Sequence, residues 1–295
     1  MEAVHQRRAR RIEAGGLHDG SFVGKSAHDL PIRTCQEKLS VDDPSHELFK
    51  NYENQYRAGG TDQAHVSFET VQAYHLDRLP RWIDRIPLQA RILDAGCATG
   101  YLLGLLYAKG YHNLAGVELS EQLFQIARNA LPESIDLLNA DVREFLAGAP
   151  DADFDVIVFH HVLEHIPREH TVALLREFRR VLKPGGFLNI KVPNASFLLA
   201  GYHLFGDFTH VVHFNERSLP QVLEAAGFNR ENIEFILKPP LLFWSWRDPM
   251  RMVLRLLNRL RWHLHGTLHW ALCQMMDLHP RPKYFEWELE VLVRR

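Results

Sequence analysis

The chain has 295 residues, 46% of them hydrophobic and 24% charged, which is enough apolar material for a sizeable buried core. A net charge of −2 excludes a globally basic nucleic-acid binder. The three cysteines, Cys35, Cys97 and Cys273, are too scattered for a disulfide framework or a zinc site and favour a reducing, cytoplasmic setting.

Residues 1–45 read as a weakly ordered arm. Its start, His5-Gln6-Arg7-Arg8-Ala9-Arg10-Arg11, is basic but has no interleaved aromatics, so it reads as a solvated tail. It lacks the apolar stretch of a secretory signal, and no uninterrupted apolar run in the chain is long enough to span a bilayer. Residues 46–87 turn helical. Phe49, Tyr52 and Tyr56 fall at helical spacing between Glu47 and Arg57, and a second helix is expected from His65 to Ile86.

Residues 88–239 alternate short apolar runs with helical patterns, as in a doubly wound sheet. The first run, Ile92-Leu93-Asp94-Ala95, leads through Gly96-Cys97-Ala98-Thr99-Gly100 to the apolar helix start Tyr101-Leu102-Leu103. A buried strand that delivers a glycine loop to a helix N-terminus is a site for nucleotide-like ligands, and glycines there would let the backbone approach the ligand. The loop has neither the Gly-Lys-Ser/Thr of a phosphate loop nor the G-x-G-x-x-G dinucleotide spacing. Glu118 ends the next run, Leu114–Glu118, about where a carboxylate accepts hydrogen bonds from ribose hydroxyls. Asp141 ends a third, Ile135–Val142; Phe154–Phe159 reads as a central strand, and Leu182–Ile190 as a turn and fifth strand. Taken singly, each acid could instead cap a turn or sit at a helix start.

Ser218–Ala226 reads as a helix stopped by Gly227. Two more strands follow, Asn232–Leu237 and Phe285–Val293. The second alternates apolar and acidic residues, as an antiparallel strand near an edge would. Between them lies an insert, residues 240–283, opening on Pro240-Leu241-Leu242-Phe243-Trp244. Arg247, Arg251, Arg255 and Arg259 recur there every four residues among leucines. Residues 240–276 could lie on an anionic membrane surface, or form a lid with leucines over the substrate cleft and arginines in water.

In order and spacing, the Asp94–Gly96–Gly100 loop, Glu118, Asp141, the Phe154–Phe159 strand and Leu182–Ile190 resemble the class I S-adenosylmethionine (SAM) methyltransferases. The resemblance covers roughly residues 88–239 and 284–293. It implies a Rossmann-like α/β sheet of seven strands, order 3-2-1-4-5-7-6, with the last strand antiparallel; residues 284–295 would complete this domain. It also implies SAM as methyl donor, held by Asp94, Ala95, Gly96, Gly100, Glu118, Leu119, Asp141, Val142 and His160. Asp141 would meet the adenine amino group and the next backbone N–H the ring. An N-terminal helix often covers the cofactor in this superfamily, so Tyr52 and Tyr56 would face the donor or pack on the sheet, packing being the expectation.

Methyl transfer to a hydroxyl gains from a base of near-neutral pKa, usually His. His160 and His161 follow the fourth strand, where open α/β sheets bind ligands. Glu164 and His165 are expected to cap the next helix. No metal is expected, although methyltransferases that act on ubiquinone precursors bind a divalent metal with an acid at the position of His161 and the equivalents of Glu164 and His165. The set His161, Glu164, His165 is therefore the alternative. A second cluster, Asp207-Phe208-Thr209-His210-Val211-Val212-His213, resembles a segment of methyltransferases from bacterial polysaccharide and glycolipid gene sets. His210 is the expected base and His161 the second candidate, with Asn194, Asp207 and His213 as acceptor contacts. The expected acceptor is a sugar, glycolipid or isoprenoid-linked molecule, with quinone or natural-product precursors as the alternative and a non-catalytic SAM-binding scaffold docking on lipid as another class.

Overall fold

The computed structural model describes residues 79–237 and 249–295. The arm, the helix carrying Tyr52 and Tyr56, most of the His65–Ile86 helix and the opening of the insert lie outside the described residues. The described end of that second helix is a short 3-10 turn, Arg81–Arg85, entered at Pro80 and burying Trp82 and Ile83.

Seven strands form one sheet in the order β3-β2-β1-β4-β5-β7-β6. They are β1 (Ile92–Ala95), β2 (Leu114–Glu118), β3 (Asp136–Asn139), β4 (Phe154–His160), β5 (Leu182–Pro193), β6 (Ile233–Phe235) and β7 (Glu288–Arg294). The first five pair in parallel, and β7 runs antiparallel to both β5 and β6. All of β1 and nearly all of β4 are buried, because both faces of the sheet are covered. One face packs against α3 (Val142–Gly148), α4 (Arg168–Val181) and α6 (Ser218–Ala225) through Leu93, Ile157 and Phe159. The other packs against the 3-10 turn, α1 (Tyr101–Lys109) and α2 (Glu121–Ala130) through Ile92, Val156 and Val158.

Local signals place the helix ends. The Ser120 side chain caps α2, Asp141 caps α3, and α6 stops at Gly227, whose φ of +94° is open to a residue without a side chain. A short α5 (Ala200–Leu204) follows β5.

Two features differ from the pattern in the sequence. β7 lies one strand in from the edge, as the expected order has it, but its acids do not face solvent. It lies between β5 and β6, and the glutamates on and just before it are engaged: Glu286 accepts from Trp262 Nε1 at 2.9 Å, Glu288 pairs with His161 at 2.9 Å, and buried Glu290 accepts from Trp82 Nε1 at 3.0 Å. The insert forms α7 (Pro249–Met275), and its leucines are not packed inward as in a lid: Leu256, Leu257, Leu260 and Leu264 are each more than half exposed. Arg255 and Arg259, by contrast, are half-buried. No described helix is long and apolar enough to cross a membrane.

Candidate active site

The loop after β1 is held in a left-handed conformation at three positions, Gly96 (φ +81°), Ala98 (φ +47°) and Gly100 (φ +74°). The N–H groups of Gly96 and Cys97 both donate to Val117 O, at 2.8 and 3.0 Å, tying the loop to β2. A Cβ on Gly96 would lie 2.4 Å from Val162 Cγ2, and one on Gly100 would lie 2.5 Å from Leu131 Cδ1. Both glycines are therefore required by backbone conformation and by packing inside the protein.

Glu118 closes the same loop from the end of β2. One carboxylate oxygen accepts from Ala98 N and the other from Ser120 N, each at 2.8 Å. Burial raises its pKa, and those backbone N–H groups counter the rise. Burial also pushes the Asp94 carboxyl up to about 8, the Glu118 charge adding to the shift and Lys191 opposing it. Asp141, after β3, accepts from Arg143 N at 2.7 Å and its two oxygens grip the Arg143 guanidinium. Leu119 is 42% exposed and Val142 is buried under α3.

At the end of β4 the pKa values of the two neighbouring histidines shift in opposite directions. His160 Nε2 sits 2.5 Å from Asn189 Oδ1. The Asn189 amide nitrogen donates to Glu290 and to Val291 O, so Oδ1 is the acceptor facing the imidazole, and the ring proton is on Nε2. Burial, aided by Lys191, drives the His160 pKa well below the usual value, so the ring is neutral. His161 has a left-handed backbone (φ +54°), an unusual conformation for a histidine. Its Nε2 pairs with Glu288 at 2.9 Å and its Nδ1 faces Glu164 Oε1 at 3.5 Å. Burial opposes charge on this ring, but the two carboxylates outweigh it and raise the pKa to about 9. The His161 ring also lies parallel to Trp287, with centroids 5.8 Å apart. The two carboxylates thus favour the imidazolium form of His161 at neutral pH.

The second cluster comes back to the first. Asp207 Oδ1 accepts from Thr209 N and from Thr209 Oγ1, the latter at 2.6 Å. Thr209 Oγ1 lies 2.8 Å from His165 Nδ1. Because that hydroxyl proton goes to Asp207, Oγ1 accepts from the ring, which puts the His165 proton on Nδ1 and its lone pair on Nε2. Burial lowers the His165 pKa and keeps it neutral. His210 Nδ1 lies 3.2 Å from Leu204 O, a pure acceptor, so this ring too has its lone pair on Nε2. The His165 and His210 rings are 4.8 Å apart.

Between them is Glu164, 1% exposed, neither of whose oxygens accepts a hydrogen bond from a described residue. One ligand atom each from Glu164, His165 and His210 lie within 4.8 Å of one another. The structure thus gathers Glu164 and His165 with His210, not with His161 as the sequence alternative had it. Asn194 does not face an acceptor. It is buried, donating to Tyr284 O and Glu286 O and accepting from Ser196 N. His213 is half-buried, edge-on to Phe205 at 5.3 Å.

The methyltransferase-domain family model matches residues 67–233, more than half of the chain. The chain belongs to the class I SAM-dependent methyltransferases. A relative from Xylella fastidiosa (strain 9a5c), named ubiquinone biosynthesis O-methyltransferase, is 30% identical to this methyltransferase over 208 residues, 64% of this chain and 79% of the relative. Trans-aconitate 2-methyltransferase from Azoarcus sp. (strain BH72) is 37% identical over 112 residues, 37% of this chain and 42% of the relative. A SAM-dependent methyltransferase from Archaeoglobus fulgidus superposes with a TM-score of 0.56 at 21% identity, covering 81% of this chain and all of the other. The plantazolicin methyltransferase BpumL, crystallised with a substrate analogue and SAH, has a TM-score of 0.51 at 17% identity and covers 85% of this chain and 93% of its own.

The methyltransferase's own residues fit SAM as donor. Asp94 and Glu118 are buried carboxylates flanking a fixed glycine loop, a donor set suited to a cationic, hydroxyl-rich ligand. They also fit a divalent cation at Glu164, His165 and His210, where a buried carboxylate, with His161 Nδ1 3.5 Å from one oxygen, meets two imidazole lone pairs. Glu288 was not recognisable as a site residue. Its acidic alternation with Glu286 and Glu290 was visible, but not what stands opposite.

Proposed function

We propose that this methyltransferase methylates a hydroxyl oxygen on a small acceptor, a sugar, a glycolipid or an isoprenoid-linked molecule, with His210 as the group that takes the hydroxyl proton. The supporting observation is the His210 tautomer: its Nδ1 proton is committed to Leu204 O, leaving the Nε2 lone pair for the acceptor beside the cofactor crevice. SAM supplies an electrophilic methyl group on a sulfonium, so the chain's work is alignment, exclusion of water and proton removal. Glu118 accepts from the ribose hydroxyls, and the donor's positive charge favours the ionised form of Asp94, offsetting the burial that raises its pKa to about 8. His161, as imidazolium, is a donor or charged wall on the other side of Glu164. The exposed side chains of Tyr202, Phe205 and Phe208, on the segment that carries His210, favour an acceptor with an apolar tail. The Xylella relative's name also supports oxygen as the accepting atom and keeps a quinone precursor as the alternative acceptor.

The buried Glu164 carboxylate, which accepts no hydrogen bond among the described residues and has His161 only at 3.5 Å, favours a second reading, in which Glu164, His165 and His210 hold a divalent cation that lowers the pKa of the acceptor hydroxyl. Formation of S-adenosylhomocysteine with a panel of hydroxylated acceptors separates the two. His210→Ala is expected to lower kcat by about 10²–10⁴-fold with SAM affinity unchanged. A chelator should have no effect under the first reading, but should abolish turnover, with metal rescue, under the second. Normal turnover in His210→Ala overturns both.

A further inference from the structure

We propose that the Nδ1 lone pair of His160 accepts a hydrogen bond from the α-ammonium group of the methyl donor, and that Asn189, Glu290 and Trp82 are the positioning residues that hold the imidazole for it. This rests on SAM as the donor and not on the acceptor proposed above.

The parts come from four distant segments. Ile92, Val156 and Val158 pack on the 3-10 turn, α1 and α2. Side chains alternate along a strand, so Asp94 and His160 lie on that same face. The register then sets His160 beside Lys191 on β5, and Lys191 beside Glu290 on β7. Asn189 stands one step earlier on this face, beside Val158 and Leu292. From there its amide reaches both neighbours of Lys191. Its Oδ1 is 2.5 Å from His160 Nε2, and its nitrogen donates to Glu290 Oε1 and to Val291 O, each at 3.1 Å. Trp82 Nε1, from the turn before β1, donates to the same Glu290 oxygen at 3.0 Å. Trp82, Asn189 and Glu290 are all buried.

Each bond in this chain fixes the next. Val291 O can only accept, so the Asn189 amide cannot turn over, and its Oδ1 requires the proton on His160 Nε2. Burial and the Lys191 charge keep the ring neutral, which leaves a lone pair on Nδ1. His160 is half-buried, and its Nδ1 is neither enclosed nor bonded to a described residue. A polar chain through an apolar sheet is costly unless its members are satisfied; this one converges on a single ring and orients its open nitrogen.

Position selects the group that is received. Strands β2, β1 and β4 lie side by side, so Glu118, Asp94 and His160 follow one another along the carboxyl edge of the sheet. An extended donor with its ribose at Glu118 has one end towards β3 and the other towards β4. Asp94 draws the cationic end to the β4 side. On that amino-acid arm the carboxylate has no proton to give, and the ammonium is the group that can donate to a bare imidazole nitrogen.

The test compares S-adenosylhomocysteine with methylthioadenosine, which lacks the amino-acid arm, by calorimetry on the full chain. His160→Gln keeps an amide nitrogen that can donate to Asn189 but loses the Nδ1 acceptor. It should bind S-adenosylhomocysteine about 10–100-fold more weakly, with methylthioadenosine affinity unchanged. Asn189→Leu frees the ring and should show the same selective loss at about tenfold. The wild type gives a readout that needs no substitution. Magnetic resonance spectra of isotope-labelled histidine should show His160 protonated at Nε2 and bare at Nδ1, with the Nδ1 signal moving on addition of S-adenosylhomocysteine and not of methylthioadenosine. A proton on Nδ1 in the wild type overturns the proposal, as does unchanged S-adenosylhomocysteine affinity in His160→Gln. That unchanged affinity together with a raised KM for the methyl acceptor would assign the lone pair to the acceptor instead. Failure of the wild type to bind either ligand would overturn the donor site itself, and this inference with it.

Discussion

Replacing Gly96 with alanine tests whether the loop after β1 has the conformation described. Two separate penalties are expected. A side chain at φ +81° costs about 1–2 kcal/mol in the left-handed region. The new methyl would also sit 2.4 Å from Val162 Cγ2, and an overpacked contact of that kind costs about 1–3 kcal/mol. Together the loss is about 2–5 kcal/mol. The three described atoms nearest that methyl all belong to Val162, so Val162→Ala should relieve the second penalty and leave the first. A double-mutant cycle on Gly96→Ala and Val162→Ala removes the intrinsic cost of each change and should return a coupling of about 1–3 kcal/mol in favour of the pair. The measurement is urea unfolding of the SAM-free protein, with SAM affinity by calorimetry on the same four proteins. Because the methyl points at Val162, affinity should fall in Gly96→Ala and recover in the double variant together with stability. Additive unfolding energies, or a Gly96→Ala protein as stable as wild type, would refute the packing described.

Two further expectations concern the charged groups. Glu118→Gln leaves an amide nitrogen facing a backbone N–H and removes a charged acceptor; SAM should bind about 10–100-fold more weakly by calorimetry, and unchanged affinity would exclude Glu118 from the donor site. The His161 pKa is raised from 6.5 to about 9, so its pairing with Glu288 and Glu164 stabilises the fold fully below pH 6.5 and is lost as pH rises through about 9. The stability difference between wild type and His161→Gln should therefore shrink across that window in urea titrations; a constant difference would place the proton elsewhere.

Much of the fold could be read from the residues because it is written in local terms. Strands covered on both faces, such as Ile92–Ala95 and Phe154–His160, have to be apolar throughout, and Ser120, Asp141 and Gly227 mark helix ends by their own chemistry. What stands opposite a residue is not local. The acids of β7 alternate as a half-solvated strand would, yet their partners, Trp82, His161 and Trp262, arrive from three distant segments. Periodicity located the leucine stripe of α7 but not its rotation, which is set by Phe285 against Gly266 and by Trp262 on Glu286. The same holds for His210. It joins Glu164 and His165 because Thr209 and Leu204 hold the two rings, a meeting that no spacing along the chain encodes.

The place of β7 also has a consequence for how the molecule is made. It is the last of the described strands in chain order, yet it lies inside the sheet, and β6 pairs with no other described strand. During synthesis, then, β6 emerges with no neighbour to join, and β5 is left with an open edge until β7 has been translated. His161 likewise waits for Glu288, the donor loop being already built from residues ahead of it. The growing chain can therefore complete its donor-side loop early while its acceptor side stays unfinished, and the interval before β7 inserts is when a strand from another molecule could take its place.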